Sequence, residues 1–255
     1  MLWTPQTKPP PGASVDWGHP LARGLVGDWS CLEGAGSATQ DLANSVVCPL
    51  NGATWKGPSI LCDATSEYIF CGDATVLNLG RLTFAMKFRR SAWTTHAVLA
   101  SHRTAAAIGH FFLFALATAT PAYALQFDDM IGGVQHRWNT AYAPPQDDWT
   151  HVVITWDGVT KKLYVNGALG NSAAGAVSGD LSPSGLSLYL GRDSLAAQYT
   201  LNGEIEFARM WDRALTPAEI AWLHAEPYAM IQAPVWRHIF DVKAGSRRSQ
   251  QGLGR

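Results

Sequence analysis

The sequence predicts an all-β fold in the form of an antiparallel β-sandwich. Apolar and polar residues alternate in several short segments, most clearly over residues 149–156. Turn-forming pairs such as Asn166-Gly167 separate these segments. The chain also holds 24 glycine and 11 tryptophan residues in 255, which suits short strands, frequent turns and aromatic packing faces. A chain of this length can form one large sandwich or two small domains.

Residues 149–167 predict a central β-hairpin. Val152, Ile154 and Trp156 alternate with their neighbours, and residues 157–160 form a short polar break before the second strand. β-branched and aromatic residues suit a pleated, half-buried surface. The Asn166-Gly167 pair can supply the positive φ angles of a tight turn at the end of that strand.

The remaining strands follow from alternation and from short apolar runs. A glycine-broken loop and an Asx-rich turn are predicted after the opening strand, over residues 33–44. Further loops are predicted at residues 128–133, 144–148 and 170–185. Strands are predicted at residues 25–30, 50–55, 68–70, 82–89, 98–101, 110–116, 123–127, 134–140, 186–191 and 203–211.

A short helix is predicted after the last of these strands. Thr216 suits the N-cap, Pro217 the first helical position and Glu219 the third position of a capping box. Leu215 and Ile220 stand at the two positions of a hydrophobic staple. The helix is expected to be short because a proline follows at position 227.

The chain divides into a proline-rich N-terminal arm (residues 1–20), a β-sandwich (21–226) and a C-terminal extension (227–255) with a basic, flexible tail. Five prolines exclude a helix or a central strand in the arm. An arm docked on this domain or on a neighbouring subunit is favoured over a disordered leader, because exposed tryptophans would leave apolar area in water. The expected assembly residues are Trp3, Trp17, Tyr228 and Trp236.

Charge and hydropathy argue against binding to nucleic acid, binding to an acidic membrane and secretion. Only 15% of residues are charged and the formal net charge is −1, so no overall field attracts nucleic acid or an acidic membrane. The basic residues of the tail are expected to be solvating. No apolar run is long enough to cross a bilayer, and the N-terminus lacks the features of a signal peptide, so we expect no export by the general secretory route.

The four cysteines match no metal-binding spacing. Free and mostly buried thiols in a reducing compartment are the favoured interpretation. One or two disulfides formed after release from a cell remain the alternative. The residues are Cys31, Cys48, Cys62 and Cys71.

Two segments resemble a known superfamily. Residues 149–167 follow the pattern W-x-H-V-x-x-x-W-D-G-x-x-x-x-L-Y-V-N-G, which resembles the core hairpin of the laminin-G and concanavalin A-like lectin superfamily. Residues 202–220 resemble the closing G-x-I-D-x-x-x-x-W-x-R-A-L pattern of laminin-G-like and pentraxin-like modules, with Glu206 in place of the usual Asp. The resemblance implies one concanavalin A-like jelly-roll sandwich with a short C-terminal helix.

The two ends of the sandwich resemble a narrower group. Residues 16–27 read D-W-x-H-P-L-A-R-G-L-V-G and residues 225–230 read A-E-P-Y-A-M, as in laminin-G-like proteins of tailed bacteriophages and prophages. This implies a non-enzymatic structural virion protein, a capsid decoration or a tail or fibre component, located in the virion. Its expected partners are other virion proteins and copies of itself in a homotrimer or another closed ring. A stand-alone lectin-like module and a glycan hydrolase are the alternatives.

A hydrolase would need a pair of acidic residues. Glu204 and Glu206 alternate on one predicted strand, so they share a face and resemble the start of the E-x-D-x-x-E strand of retaining glucanases. Ala208 and Arg209 follow, so the third carboxylate is missing. No nucleophile-elbow, zinc-protease or phosphate-loop motif occurs. We therefore expect no enzyme.

Calcium and glycans are the expected ligands. Modules that this chain resembles often bind calcium through loop oxygens, and the candidate ligands are Asp41, Asn44, Asp128, Asp129 and Asp193. Turn formation explains such residues equally well. Glycan binding needs aromatic platforms with polar neighbours, and the candidates are Trp93, His96, Tyr123, His136 and Trp138. A core position is the alternative for each aromatic residue.

Overall fold

The computed structural model describes residues 4–64, 66–72, 77–93, 96–105, 108–175, 178–182, 187–194 and 199–234. Trp3 and Trp236, two of the expected assembly residues, lie outside the described residues. Within these ranges the chain forms two eight-stranded antiparallel sheets packed face to face, with a single short α-helix near the C-terminal end. The predicted all-β jelly-roll sandwich is confirmed.

The elements are β1 (Ser14–Val15), a 3₁₀ turn (Pro20–Ala22), β2 (Leu25–Trp29), β3 (Ala38–Asp41), β4 (Val46–Asn51), β5 (Thr54–Lys56), β6 (Ser59–Cys62), β7 (Tyr68–Phe70), β8 (Leu82–Arg90), β9 (Ala97–Ala105), β10 (Ile108–Leu116), β11 (Ala124–Ile131), β12 (Val134–Asn139), β13 (Trp149–Trp156), β14 (Thr160–Val165), β15 (Ala168–Ala174), β16 (Tyr189–Leu190), β17 (Gly203–Trp211), α1 (Pro217–Ala225) and β18 (Ile231–Gln232). The first sheet has the order β15-β14-β13-β8-β17-β6-β5, with β2 also paired to β17, and the second has the order β12-β11-β10-β9-β16-β7-β4-β3.

The predicted central hairpin is confirmed as β13 and β14, in which Ile154 pairs with Leu163. Asn166 and Gly167 both have positive φ, 49° and 83°, and so form the predicted tight turn. That turn returns the chain as β15, an edge strand paired to β14. The predicted loop over residues 170–185 is therefore wrong in its first part, because the turn geometry directs even small polar residues back into the sheet.

The loop predicted at residues 128–133 is also wrong. Strand β11 continues to Ile131, and Gly132 and Gly133, with φ of 60° and 77°, turn the chain into β12. Two adjacent positive φ angles form a two-residue hairpin connection. Asp128 and Asp129 consequently lie inside a strand and pair with Arg137 and His136 of β12.

The main core lies between the two sheets and is dominated by aromatic and aliphatic side chains. Trp29, Phe84, Phe111, Phe127 and Trp156 are among its buried residues. The four cysteines also lie there, free and buried, so the expectation of buried free thiols is confirmed. Burial raises the pKa of the Cys31 thiol to about 12, which keeps this thiol protonated and unreactive.

A second core covers the outer face of the first sheet. Leu21 from the N-terminal segment, Ile220 and Leu223 from α1, and Tyr228 and Met230 from the C-terminal segment are buried there. We call this covered surface the capped face. None of the helices in the described ranges is long and apolar enough to cross a membrane.

The predicted capping box at the start of α1 is confirmed. The Thr216 hydroxyl accepts a hydrogen bond from the Glu219 amide at 3.3 Å, and the Glu219 carboxylate accepts one from the Thr216 amide at 2.8 Å. Leu215 and Ile220, the predicted staple, are both buried. The helix is thus anchored on the capped face at its first turn.

The N-terminal arm lies along its own domain. Val15 of β1 pairs with Ile231 of β18, and the Tyr228 amide donates to the Pro5 carbonyl at 3.0 Å. Tyr228 is buried as the docking prediction requires, but Trp17 is 58% exposed. The arm contacts its own domain through backbone pairing and through small apolar residues such as Ala13 and Val15. Docking of Trp17 on a neighbouring subunit stays a prediction.

Candidate functional site

A groove lies on the outer face of the second sheet, opposite the main core. Phe111 and Leu113 of β10 point into that core, so the alternation of a strand places Phe112 and Phe114 on the outer face. Phe112 pairs with Asp128 of β11, and Asp128 pairs with Arg137 of β12. Residues on three neighbouring strands therefore meet at one place.

The groove has a cavity volume of about 150 Å³. It is lined by His96, Val98, Arg103, Phe112, Phe114, Leu116, Arg137 and Tyr199. These eight residues are called the groove below. The lining combines four apolar side chains with two guanidinium groups, an imidazole and the ring of Tyr199.

Each guanidinium group lies against one phenylalanine ring. Phe112 and Phe114 stack with their centroids 4.3 Å apart. The Arg103 Cζ atom lies 3.6 Å from the centroid of Phe112, and the Arg137 Cζ atom lies 5.1 Å from that of Phe114. Stacking of this kind is favourable because the face of an aromatic ring is electronegative.

A buried carboxylate pairs with each guanidinium group. Arg103 donates to Asp193 through Nε at 3.3 Å and through Nη2 at 2.7 Å, and Arg137 donates through Nε and Nη2 to Asp128, both at 2.8 Å. The hydrogen bond to Asp128 raises the pKa of Arg137. Such two-point pairs hold the plane of the guanidinium group and leave Nη1 outside the pair.

The other end of the groove carries a stacked pair of rings. His96 and Tyr199 lie with centroids 5.2 Å apart and nearly parallel planes. The groove therefore combines apolar ring surface with fixed N–H donors. This arrangement suits a ligand that has an apolar face and several acceptor oxygens.

The structure brings only one predicted glycan contact, His96, into the groove. Trp93 and Trp138 are 5% and 8% exposed and belong to the main core, so neither offers a ring face to a ligand. Tyr123 packs edge-on against Trp93 at 6.2 Å, and His136 lies on β12 opposite Asp129. For Trp93 and Trp138 the structure therefore matches the core alternative, whereas glycan contact by His96, Tyr123 and His136 stays a prediction.

The five predicted calcium ligands do not come together. Asp41 accepts from the Ala43 amide at 2.9 Å and from the Asn44 side chain at 2.7 Å, which is the Asx turn given as the alternative. Asp129 is paired with the buried ammonium group of Lys161. Asp128 and Asp193 are occupied by the groove arginines. The described ranges contain no group of three His, Cys, Asp or Glu residues that could hold a metal ion, so these residues do not fit calcium.

Glu204 and Glu206 share the outer face of the first sheet, as predicted, but each is occupied by cations. Glu204 contacts Lys56 at 2.9 Å and Arg89 at 2.6 Å, and Glu206 contacts Lys87 at 2.8 Å. Burial raises the pKa of Glu204, but hydrogen bonds from Lys56 and Arg89 lower it further, so the net pKa lies below its usual value. A general acid needs the opposite shift, so Glu204 is not held in the protonated form that this role requires.

The sequence interpretation missed Arg103, Phe112, Phe114, Arg137 and Tyr199. One signal was present, because in the run from Phe111 to Phe114 only every second residue can face the main core. No local sequence pattern identified Arg103 or Arg137 as a groove residue. They reach the groove through the pairing of β9 and β12 with their neighbours in the sheet.

Comparison with known families supports the fold and its broad class. The model of the concanavalin A-like lectin/glucanases superfamily matches residues 63–221. The human adhesion G-protein coupled receptor D1 is 41% identical over 88 residues, and the bovine protein is 40% identical over the same length. This match covers 33% of the present chain but only 10% of the human receptor.

Solved structures with a similar fold include both enzyme domains and binding domains. Domain 4 of AbnA, a GH43 extracellular arabinanase from Geobacillus stearothermophilus, in complex with arabinotriose, has a TM-score of 0.60 at 16% identity, covering 78% of this chain and 98% of that one. The binding domain of Paraclostridial Mosquitocidal Protein 1 has a TM-score of 0.61 at 15% identity, covering 80% and 52%. Trypanosoma rangeli sialidase in complex with sialic acid has a TM-score of 0.58 at 17% identity, covering 82% of this chain and 34% of the sialidase. The shared fold therefore does not by itself separate hydrolases from binding modules.

Proposed function

The chain belongs to the concanavalin A-like lectin/glucanases superfamily, and on that premise we propose that it is a non-enzymatic, carbohydrate-binding protein whose groove contacts the sugar. The observation that carries the proposal is the pair of arginine-on-phenylalanine stacks in the groove. The rings suit the apolar face of a sugar, and the Nη1 groups can donate to its oxygens.

A glycan array tests the proposal. We expect the full chain to bind one class of glycan, and we expect Arg137→Gln to lose most of that binding because it removes a guanidinium donor while keeping an amide of smaller size. Treatment with EDTA is expected to leave binding unchanged, since the described residues form no calcium cluster. Absence of binding to every glycan, or equal binding by the variant, would contradict the proposed groove.

The non-enzymatic part of the proposal has its own test. Incubation of the protein with each bound glycan is expected to release no new reducing ends. If hydrolysis is seen and Glu204→Gln abolishes it, the protein is an enzyme and the ion pairs of Glu204 have been misinterpreted. This control is necessary because the solved structures with a similar fold include glycan hydrolases.

We also propose that the protein is a structural component of a tailed-bacteriophage virion, a capsid decoration or a tail or fibre protein, assembled as a homotrimer or another closed ring. The support comes from the resemblance of residues 16–27 and 225–230 and from the arm, whose short β1 strand pairs with β18. An arm held by a two-residue strand can exchange between copies without loss of its contacts.

Truncation and labelling test this second proposal. Removing residues 1–20 is expected to change the mass measured by light scattering and to reduce incorporation into particles, whereas unchanged mass and incorporation would contradict arm-mediated assembly. Immunogold labelling of intact particles then distinguishes label over the head, expected of a decoration protein, from label at the tail tip. Absence of label from particles would contradict the virion role.

A further inference from the structure

A second aromatic cluster lies on the outer face of the second sheet, beside the groove. The ring of Tyr189 lies 5.3 Å from that of Tyr68 and 5.3 Å from that of Phe70, measured between centroids. The Arg192 Cζ atom lies 4.6 Å from the Tyr68 centroid. All four side chains are half-buried. The residues of this second cluster are therefore partly accessible, unlike the aromatic residues of the main core.

The pairing of the strands places this cluster on the same face as the groove. Tyr189 pairs with Ser101, and Ser101 pairs with Phe112, so Tyr189 and Phe112 lie in one row across the sheet. They are two strands apart, which corresponds to roughly 10 Å. Phe70 continues the row as the partner of Tyr189 on β7.

The residues that follow β16 lie between the second aromatic cluster and the groove. The hydroxyl of Ser194 lies 3.1 Å from that of Ser101 and also donates to the Arg103 carbonyl. Ser101 donates to Asp193 at 3.2 Å. The hydrogen-bonded residues of this crossing stand between the cluster and the groove, so the cluster is a separate place for a ligand.

Arg192 differs from the two groove arginines. Arg103 and Arg137 are each neutralised by a buried aspartate, whereas Arg192 forms no ion pair within the described parts of the chain. Its Nε atom is buried and has no hydrogen-bond acceptor. A buried donor without an acceptor costs free energy, and native proteins rarely leave one unsatisfied. Within the described ranges the cluster therefore has a positive charge with no ion-pair partner and a donor without an acceptor, beside aromatic rings.

We propose that Tyr68, Phe70, Tyr189 and Arg192 form a second saccharide site that takes an acidic sugar. The carboxylate of the sugar accepts hydrogen bonds from Arg192, and its ring packs on the aromatic side chains. The choice of a saccharide rests on the proposed function, since both sites lie on one face of a lectin-like domain. The choice of an acidic one rests on Arg192.

Amide NMR of the full chain, titrated with glucuronate, glucose or sodium sulfate, tests the second site. Glucuronate is expected to shift the resonances of β7, β16 and Arg192 with a dissociation constant at least tenfold lower than that of glucose. Arg192→Gln is expected to remove this difference. Arg137→Gln is the matched control, because it changes an equivalent guanidinium in the groove and is expected to leave the β7 and β16 shifts in place.

The outcomes separate this inference from the proposed function. Shifts confined to the groove resonances would overturn the second site and leave the proposed groove standing. Shifts confined to β7, β16 and Arg192 would support the second site and count against the groove. Equal shifts by sulfate and glucuronate would overturn the saccharide assignment, because the site would then bind anions without recognising a sugar.

Discussion

The two outer faces of the sandwich contain the same combination of side chains in opposite settings. On the capped face Arg209 pairs with Asp28 at 3.0 Å and lies 4.5 Å from the Phe207 centroid. In the groove Arg137 pairs with Asp128 at 2.8 Å and lies 5.1 Å from the Phe114 centroid. The Arg209 side chain is fully buried, whereas that of Arg137 is 50% exposed.

The comparison shows that burial determines whether an arginine stacked on an aromatic ring stabilises the fold or can bind a ligand. All three nitrogens of the Arg209 guanidinium donate within the protein, to Asp28, to Ser30 and to the Pro227 carbonyl. This side chain joins β2, β17 and the C-terminal segment. Arg137 uses Nε and Nη2 for its aspartate, so Nη1 takes no part in that pair, and its side chain lines the groove. The first arrangement stabilises the fold, and the second can bind a ligand.

The largest expected effect comes from breaking the buried pair. Asp28→Ala leaves Arg209 charged and unpaired in the interior, so we expect the free energy of unfolding to fall by about 3–5 kcal/mol. Urea denaturation measures this change. Asp180→Ala is the matched control, since its pair with Arg81 is long, at 3.9 Å, and exposed, and we expect less than about 1 kcal/mol there. A similar loss in both variants would contradict the account.

Acid is expected to destabilise the capped face. Burial lowers the pKa of His151 from 6.5 to about 3, and its ring stacks on that of His224 of α1 at 5.5 Å. The unfolded chain binds this proton near pH 6.5 and the folded chain only near pH 3. The stabilisation is therefore complete above pH 6.5 and is lost as the pH falls towards 3, by about 1.4 kcal/mol per pH unit for one proton.

Urea denaturation at several pH values between 6.5 and 4.5 measures this slope. His151→Phe is expected to flatten it, because the phenyl ring keeps the stacking and takes no proton. An unchanged slope in this variant would assign the acid sensitivity to other groups. His224, whose pKa burial also lowers, is then the next residue to replace.

Replacing the aspartate that pairs with a groove arginine should alter ligand binding more than it alters the stability of the fold. Asp128→Asn releases the guanidinium of Arg137 from its fixed plane, and we expect saccharide affinity to fall about tenfold, equivalent to about 1.4 kcal/mol. The free energy of unfolding should change by about 1 kcal/mol or less, because Arg137 is half exposed and can be solvated. Calorimetric titration and urea denaturation of one preparation give both values. A stability loss as large as that of Asp28→Ala would remove the contrast between the faces.

The smallest effect concerns the edge of the capped face. Thr216→Ala removes the side-chain half of the capping box and should lower the free energy of unfolding by about 1 kcal/mol. Saccharide binding should not change, since α1 lies on the opposite side of the sandwich from the groove. Thr216→Ser, which keeps the hydroxyl, is the control and should remain close to wild type.

The fold was more predictable than the groove. The alternation in residues 149–156, the Asn166-Gly167 turn and the Thr216 capping box are local signals, so the central hairpin and the helix follow from the sequence. Asp128 and Asp129 misled the prediction because aspartate is common in turns, whereas the glycine pair after Ile131 ends the strand. Arg103 and Arg137 meet the phenylalanines only through cross-strand register, which no local pattern encodes.

We expect saccharide binding on the face of the sandwich that carries the groove and not on the capped side. Isothermal titration with the strongest array glycan tests it, comparing Phe114→Ala with Trp149→Ala on the outer face of the first sheet. Trp149 is a fair control because Arg89 lies 5.2 Å from its ring, in the manner of Arg137 on Phe114. We expect Phe114→Ala to weaken binding at least tenfold and Trp149→Ala to bind as the wild type does. Loss of binding in Trp149→Ala with full binding in Phe114→Ala would contradict it.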